Sequence, residues 1–213
     1  MILDKDKALK IADFLLQIKA VKLQPNDPFT WASGWNSPIY CDNRKTLSFP
    51  KIRTAIRQTF AQQIDEKYTN IDAIAGVATG GIAIGALVAE EMGLPFIYVR
   101  SSAKGHGLGN QIEGAYEEGQ RVVVIEDLIS TGGSSLQAVD ALREAKLNVL
   151  GLSAIFTYGF NKAVENFNNA KCEFFTLSDY DHLIEQAQAS NYVSDSDIDS
   201  LKEWKSNPEN WKK

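Results

Sequence analysis

The chain has 213 residues, 44% of them hydrophobic and 23% charged, with a formal net charge of −5. That length and apolar content support one globular core without covalent staples. The negative balance argues against a broad electrostatic hold on nucleic acid or on an acidic lipid surface, so an anion must be caught by a local site. The two cysteines, Cys41 and Cys172, stand far apart and outside any CxxC spacing, which argues against a disulfide framework or a structural zinc site. The first ten residues mix acids and lysines, and no stretch reaches the ~18 apolar residues of a membrane span. A cytoplasmic protein, neither exported nor membrane-bound, is the expectation.

In chain order, Leu9, Ile11, Ala12, Leu15 and Ile18 recur at helical spacing and predict an amphipathic helix over 5–18, with Asp4 or Asp6 as its cap. A proline- and aromatic-rich stretch follows, with Pro25, Pro28, Gly34 and Pro38, and reads as an irregular or β-rich small lobe. Pro50 marks the start of a second helix carrying Ile52, Ile56, Phe60 and Ile64. From Ile71 onward strands and helices alternate. Strands are expected over 71–77, 96–99, 121–125, 149–156 and 172–177, and helices over 81–92, 134–145 and 162–168. Such alternation implies crossover units and a parallel sheet covered on both faces, hence an α/β fold. The polar tail after Asp179, with Trp204 and Trp211, is expected to form peripheral helices.

Three segments carry chemistry. The strongest runs from Val122 to Ser135: an apolar strand with four consecutive β-branched residues, the adjacent acids Glu126 and Asp127, then Leu128-Ile129-Ser130-Thr131-Gly132-Gly133-Ser134-Ser135 leading into a helix. In an open α/β sheet ligands gather at the carboxyl ends of strands. Backbone N–H groups and hydroxyls of Thr131 to Ser135 at a helix N-terminus suit a phosphate, and the glycines let the backbone wrap around it. The acids would be repelled by that phosphate, so they are expected to accept hydrogen bonds from neutral hydroxyls such as a ribose diol. A P-loop is disfavoured, because GxxxxGK[ST] is absent and the turn holds no lysine.

The second segment, 100–114, has glycines at alternate positions and carries Arg100, Lys104 and His106. It reads either as a basic loop closing over an anionic leaving group or as a solvated surface loop. The third, Gly76-Val77-Ala78-Thr79-Gly80-Gly81-Ile82, reads either as a second anion nest or as tight strand-to-helix packing.

Residues 126–135 resemble the segment with which type I phosphoribosyltransferases hold phosphoribosyl pyrophosphate (PRPP). Arg100…Lys104-Gly105-His106-Gly107…Ile112-Glu113-Gly114 is similar to the catalytic loop of the orotate phosphoribosyltransferase family. Phe29-Thr30-Trp31-Ala32-Ser33-Gly34…Ser37-Pro38-Ile39-Tyr40-Cys41-Asp42 resembles that family's N-terminal hood. The resemblance covers about 29–156, with the three motifs in the family's order. It implies a central parallel sheet flanked by helices with a small hood, all of 1–213 forming one domain: helix and hood to about 48, core over about 49–178, helical tail over about 179–213.

It also implies transfer of ribose 5-phosphate from PRPP to orotate, yielding orotidine 5′-monophosphate and pyrophosphate. Lys104, His106, Arg100 and Asp127 become the catalytic candidates. PRPP is expected to be bound by Arg100, Lys104, His106, Glu126, Asp127, Leu128, Ile129, Ser130, Thr131, Gly132, Gly133 and Ser134. Orotate would meet Ser130 with Tyr40 and Cys41 nearby. Mg²⁺ is the implied cofactor, held mainly by PRPP and water with no metal ligand set of the chain's own. The implied assembly is a homodimer whose catalytic loop acts in the partner's site. Ser101, Ala32 and the neighbourhood of Gly80 lack lysines that many relatives carry, and Thr157-Tyr158-Gly159 lacks an arginine, which throws more anion binding onto Lys104 and backbone N–H groups. The rival readings are a phosphoribosyltransferase for another base and a non-catalytic PRPP-sensing regulator. The charge balance and the absence of an appended helix-turn-helix segment count against the latter.

Overall fold

The structure is a computed structural model that describes residues 1–31, 34–101 and 111–212. Helix α1 (Lys5–Gln17) starts where Asp4 accepts a hydrogen bond from the Lys7 N–H at 3.0 Å, and it buries Ala8, Ile11, Ala12, Leu15 and Leu16. Four short strands follow: β1 (Val21–Leu23), β2 (Phe29–Thr30), β3 (Asn36–Ser37) and β4 (Ile39–Cys41). They form two antiparallel pairs, β1 with β4 and β2 with β3. A 3₁₀ helix (Asn43–Ser48) then leads into α2 (Pro50–Lys67), whose Pro50 occupies the first turn, where its missing N–H costs nothing.

The remaining elements alternate: β5 (Ala73–Val77), α3 (Gly80–Met92), β6 (Phe96–Val99), β7 (Ile112–Glu113), β8 (Arg121–Ile129), α4 (Gly133–Glu144), β9 (Asn148–Thr157), α5 (Asn161–Asn169), β10 (Phe174–Asp179), α6 (Tyr180–Ala189) and α7 (Asp195–Ser206). They build a six-stranded sheet in the order β10-β9-β8-β5-β6-β7. The strands run parallel except for β7, which pairs antiparallel with β6 through Tyr98↔Glu113 and Val99↔Ile112. The expected parallel sheet is present, with an antiparallel edge strand β7 that the sequence reading did not include, because a two-residue strand is too short to show any periodicity.

Side chains of the central strands alternate between two apolar layers. Val123 and Ile125 join Ile74, Phe175 and Leu177 under α1, α2, α3, α6 and α7, whereas Val122 and Val124 join Ala75, Val99 and Ala154 under α4 and α5. This two-sided burial is why β8 reads as an unbroken apolar run. Two expectations are corrected. Strand β8 continues through the acidic pair to Ile129, because its ladder to β9 persists to Ile129↔Thr157. The tail is not merely peripheral: Trp204 on α7 is fully buried and packs against Trp31, Tyr158, Phe160 and Tyr180. No helix among the described residues is long and apolar enough to cross a membrane.

Candidate active site

A cleft of about 570 Å³ opens at the carboxyl ends of β5 and β8, the place an open α/β sheet reserves for ligands. Strand β5 pairs with β8 only as far as Gly76↔Ile125, while β9 continues alongside it. Beyond Ile125, β8 therefore has no strand partner on its β5 side, and the cleft occupies that gap. Its walls are the exit from the small lobe (Cys41, Asp42, Arg44), the turn Ala78 to Gly80, and β8 with its following turn, from Glu126 to Ser135.

Because the strand continues through them, Glu126 and Asp127 point to opposite faces. Glu126 turns under α4, is 5% exposed, and accepts hydrogen bonds from Ser135 Oγ at 3.2 Å and from the Asp127 N–H at 3.0 Å. Burial, with the Asp127 charge beside it, pushes its carboxyl up to about 8. Asp127 turns toward α3, where a side chain at Gly80 would overlap its carboxyl group. Asn43, itself buried, donates from Nδ2 to the Asp127 carbonyl oxygen at 2.6 Å and ties the 3₁₀ helix to β8.

A stability consequence follows from Glu126. Its folded-state pKa lies above the unfolded value, so the folded chain holds this proton more tightly. The contribution is complete below the ordinary carboxyl range near ~4.3 and is lost as pH rises to about 8. Glu126→Gln is expected to flatten the fall in urea midpoint between the ordinary carboxyl range and about pH 8. Parallel pH profiles for the two proteins would refute this ionisation.

The turn after β8 is shaped for an anion. Gly132 has φ +82°, and a side chain there would strike the Phe167 ring, so only glycine fits. Helix α4 has no side-chain cap, which leaves its first-turn N–H groups for a ligand. Asn166 Nδ2 pins the turn by donating to the Thr131 carbonyl at 2.9 Å.

Of the residues singled out from sequence, Glu126, Asp127, Leu128, Ser130, Thr131, Gly132, Gly133, Ser134 and Cys41 all line the cleft. Ile129 does not: it is fully buried, and its carbonyl accepts from Thr157 Oγ1 and the Tyr158 N–H. Tyr40 is 42% exposed and lies beside Phe29 rather than in the cleft wall. The Cys41 thiol, 3.4 Å from Asn43 Oδ1, is pushed up by burial and then by Asp127 and Asp42. Arg100 sits at the root of the basic segment, bonded through its backbone to Gln111 and with Nη1 3.6 Å from Glu113 Oε1. Lys104 and His106 lie outside the described residues.

Sequence reasoning missed Asn43 and Arg44, although the polar run Asp42-Asn43-Arg44 directly after an apolar strand was a usable signal. Gly80 proves to be both a wall of the cleft and a packing glycine. Among the described residues no three His, Cys, Asp or Glu side chains gather to hold a metal ion. Asp42 and Asp127 offer oxygens to the cleft, a donor set that fits a hard cation taking its other ligands from phosphate and water.

A twisted, mostly parallel sheet with an anion-binding turn and a carboxylate at its switch point defines a protein that handles a phosphorylated sugar. A family model described as the phosphoribosyl transferase domain matches residues 46–185, and the chain belongs to that family. It is 56% identical over 201 residues to the orotate phosphoribosyltransferase of Porphyromonas gingivalis, covering 94% of this chain and 96% of that one. Among solved structures, the orotate phosphoribosyltransferase of Aeropyrum pernix superimposes with a TM-score of 0.75 at 26% identity, over 86% of this chain and 99% of that one. The UMP synthase of Leishmania donovani gives a TM-score of 0.78 at 27% identity, over 92% of this chain but only 42% of that longer one.

Proposed function

We infer that this protein transfers ribose 5-phosphate from PRPP to orotate, forming orotidine 5′-monophosphate and pyrophosphate in pyrimidine biosynthesis. The observation that carries this reading is the uncapped α4 N-terminus and Asp127 meeting in one cleft, in a chain 56% identical to an orotate phosphoribosyltransferase over nearly its whole length.

The N–H groups and hydroxyls of Thr131 to Ser134 hold the 5-phosphate, and Asp127 accepts hydrogen bonds from the ribose hydroxyls. Glu126 sits beneath them and braces the turn through Ser135. Ser130 meets orotate, with the backbone of Tyr40 and Cys41 beside it. The bond from the anomeric carbon to the diphosphate oxygen breaks, its electron pair leaves with pyrophosphate, and an orotate nitrogen bonds to that carbon as its N–H proton passes to a pyrophosphate oxygen. Lys104, His106 and Arg100 act where negative charge grows on the leaving group. Mg²⁺, when bound, would neutralise part of the diphosphate charge, and Asp127 and Asp42, which line the cleft, would hold its hydration shell.

Residues from the lobe, the sheet and the region after β8 share one cleft, which supports reading 1–213 as a single catalytic domain; the compartment proposed for it is the cytoplasm. The working form is a homodimer in which Lys104 reaches the partner's cleft. Lys104→Ala and Asp127→Ala, each inactive alone, are therefore expected to regain activity when mixed and allowed to exchange subunits. Continued inactivity after demonstrated exchange would place the loop in its own subunit's site. The base is tested by following the loss of orotate absorbance with PRPP and Mg²⁺, beside uracil, hypoxanthine and adenine. Turnover of another base in preference to orotate would overturn the assignment.

A further inference from the structure

We propose that Arg44 binds the diphosphate half of the sugar phosphate, between the 3₁₀ helix and the turn that opens α3. The proposal deepens the phosphoribosyl-transfer reading and rests on it. The cleft must accept two anionic groups at opposite ends of a ribose. One is met by the turn ahead of α4. The rest of the cleft carries the carboxylates of Asp42 and Asp127, and among the described residues lining it Arg44 is the one cation. A diphosphate lying against those carboxylates without a cation would be repelled by them.

Arg44 is held in a way that leaves its recognition face free. Its Nε donates to Asp42 Oδ1 at 2.7 Å, and neither Nη group is hydrogen-bonded to a described residue. A guanidinium anchored through Nε presents its outer N–H groups as a planar fork, which matches two phosphate oxygens. The backbone carrying it is fixed: Asn43 is 1% exposed, bonds to the Asp127 carbonyl at 2.6 Å, and takes a hydrogen bond on its own carbonyl from Thr46 Oγ1 at 2.6 Å. The 3₁₀ helix also packs on α3 and β8, so Arg44 keeps a set position relative to Asp127 and Gly80.

A second feature of the same wall points to the same ligand. Helix α3 begins at Gly80 in the cleft wall, and its N-cap Thr79 makes no side-chain cap bond. Helix α3 thus starts at the cleft wall without a side-chain cap, as α4 does. Two uncapped helix starts with one arginine at the farther one suit a ligand with phosphate groups at both ends.

The test is calorimetric titration of wild type, Arg44→Ala, Arg44→Lys and Asp127→Asn with Mg²⁺-pyrophosphate, ribose 5-phosphate, PRPP and orotate, after circular dichroism melting confirms folding. Arg44→Ala is expected to weaken pyrophosphate and PRPP by roughly tenfold, the lower range for a hydrogen bond to a charged group. Ribose 5-phosphate and orotate should bind as before, and Arg44→Lys should recover part of the loss while remaining soundly folded if the alanine variant is not. Asp127→Asn should instead weaken ribose 5-phosphate, which Arg44→Ala spares. Unchanged pyrophosphate affinity in both Arg44 variants would overturn the proposal, as would an equal loss of ribose 5-phosphate or orotate. If wild type binds pyrophosphate but not PRPP, the phosphoribosyl reading fails while the pyrophosphate arm still decides the role of Arg44.

Discussion

Trp204→Ala is expected to lower the free energy of unfolding by about 3–5 kcal/mol, the range for emptying a buried tryptophan site. Trp204 is fully buried, with ring centroids 5.1 Å from Tyr180, 5.4 Å from Phe160, 5.6 Å from Trp31 and 5.8 Å from Tyr158. These partners come from the small lobe, the exit of β9 and the start of α6, so one truncation empties the junction of three regions. Its indole Nε1 is buried without a hydrogen-bond partner. Trp204→Phe, which removes that unsatisfied donor and keeps much of the ring, should therefore cost well under half as much. Urea unfolding with an unchanged m-value measures both. A loss below about 1 kcal/mol for the alanine variant would mean that α7 is only loosely docked.

The pair Gly80→Ala and Gly81→Ala is expected to separate site chemistry from stability, although the substitutions are adjacent. A Cβ at Gly80 would overlap the Asp127 carboxyl, the end of a side chain that can swing away. The fold should survive, with Asp127 displaced from the ribose. PRPP affinity should then fall by the worth of a hydrogen bond to a charged group, about 1.5–3 kcal/mol. A Cβ at Gly81 would overlap the Ile125 carbonyl, which is backbone at the centre of the sheet. That strand cannot swing aside, so α3 must lift from β8, and the loss appears in the unfolding midpoint. Equal effects of the two on both measurements would show that Asp127 is not positioned by Gly80.

Periodicity and local chemistry determined much of this protein. The spacing of Ile52, Ile56, Phe60 and Ile64 behind Pro50 is enough for α2, and the apolar run from Val122 to Ile125 is enough for a strand covered on both faces, because both patterns record burial directly. The hydroxyl- and glycine-rich turn from Ser130 to Ser135 was legible too as a strand-to-helix junction lining the cleft, since small residues let the backbone turn tightly at a helix start. Lys104 and His106 of the basic segment lie outside the described residues.

What only the tertiary structure decided are relations between segments distant in the chain. Nothing in the sequence near Glu126 reveals that β9 carries β8 past the acidic pair and so sends its two carboxylates to opposite faces. Asn43 meets Asp127 across 84 positions, and Trp204 meets Trp31 across a still longer span. Such contacts leave no local period, because each partner's own neighbours are arranged for a different element. The physical reason is the same throughout: a helix or strand writes its buried face into its own sequence, whereas a cleft is made where several elements end.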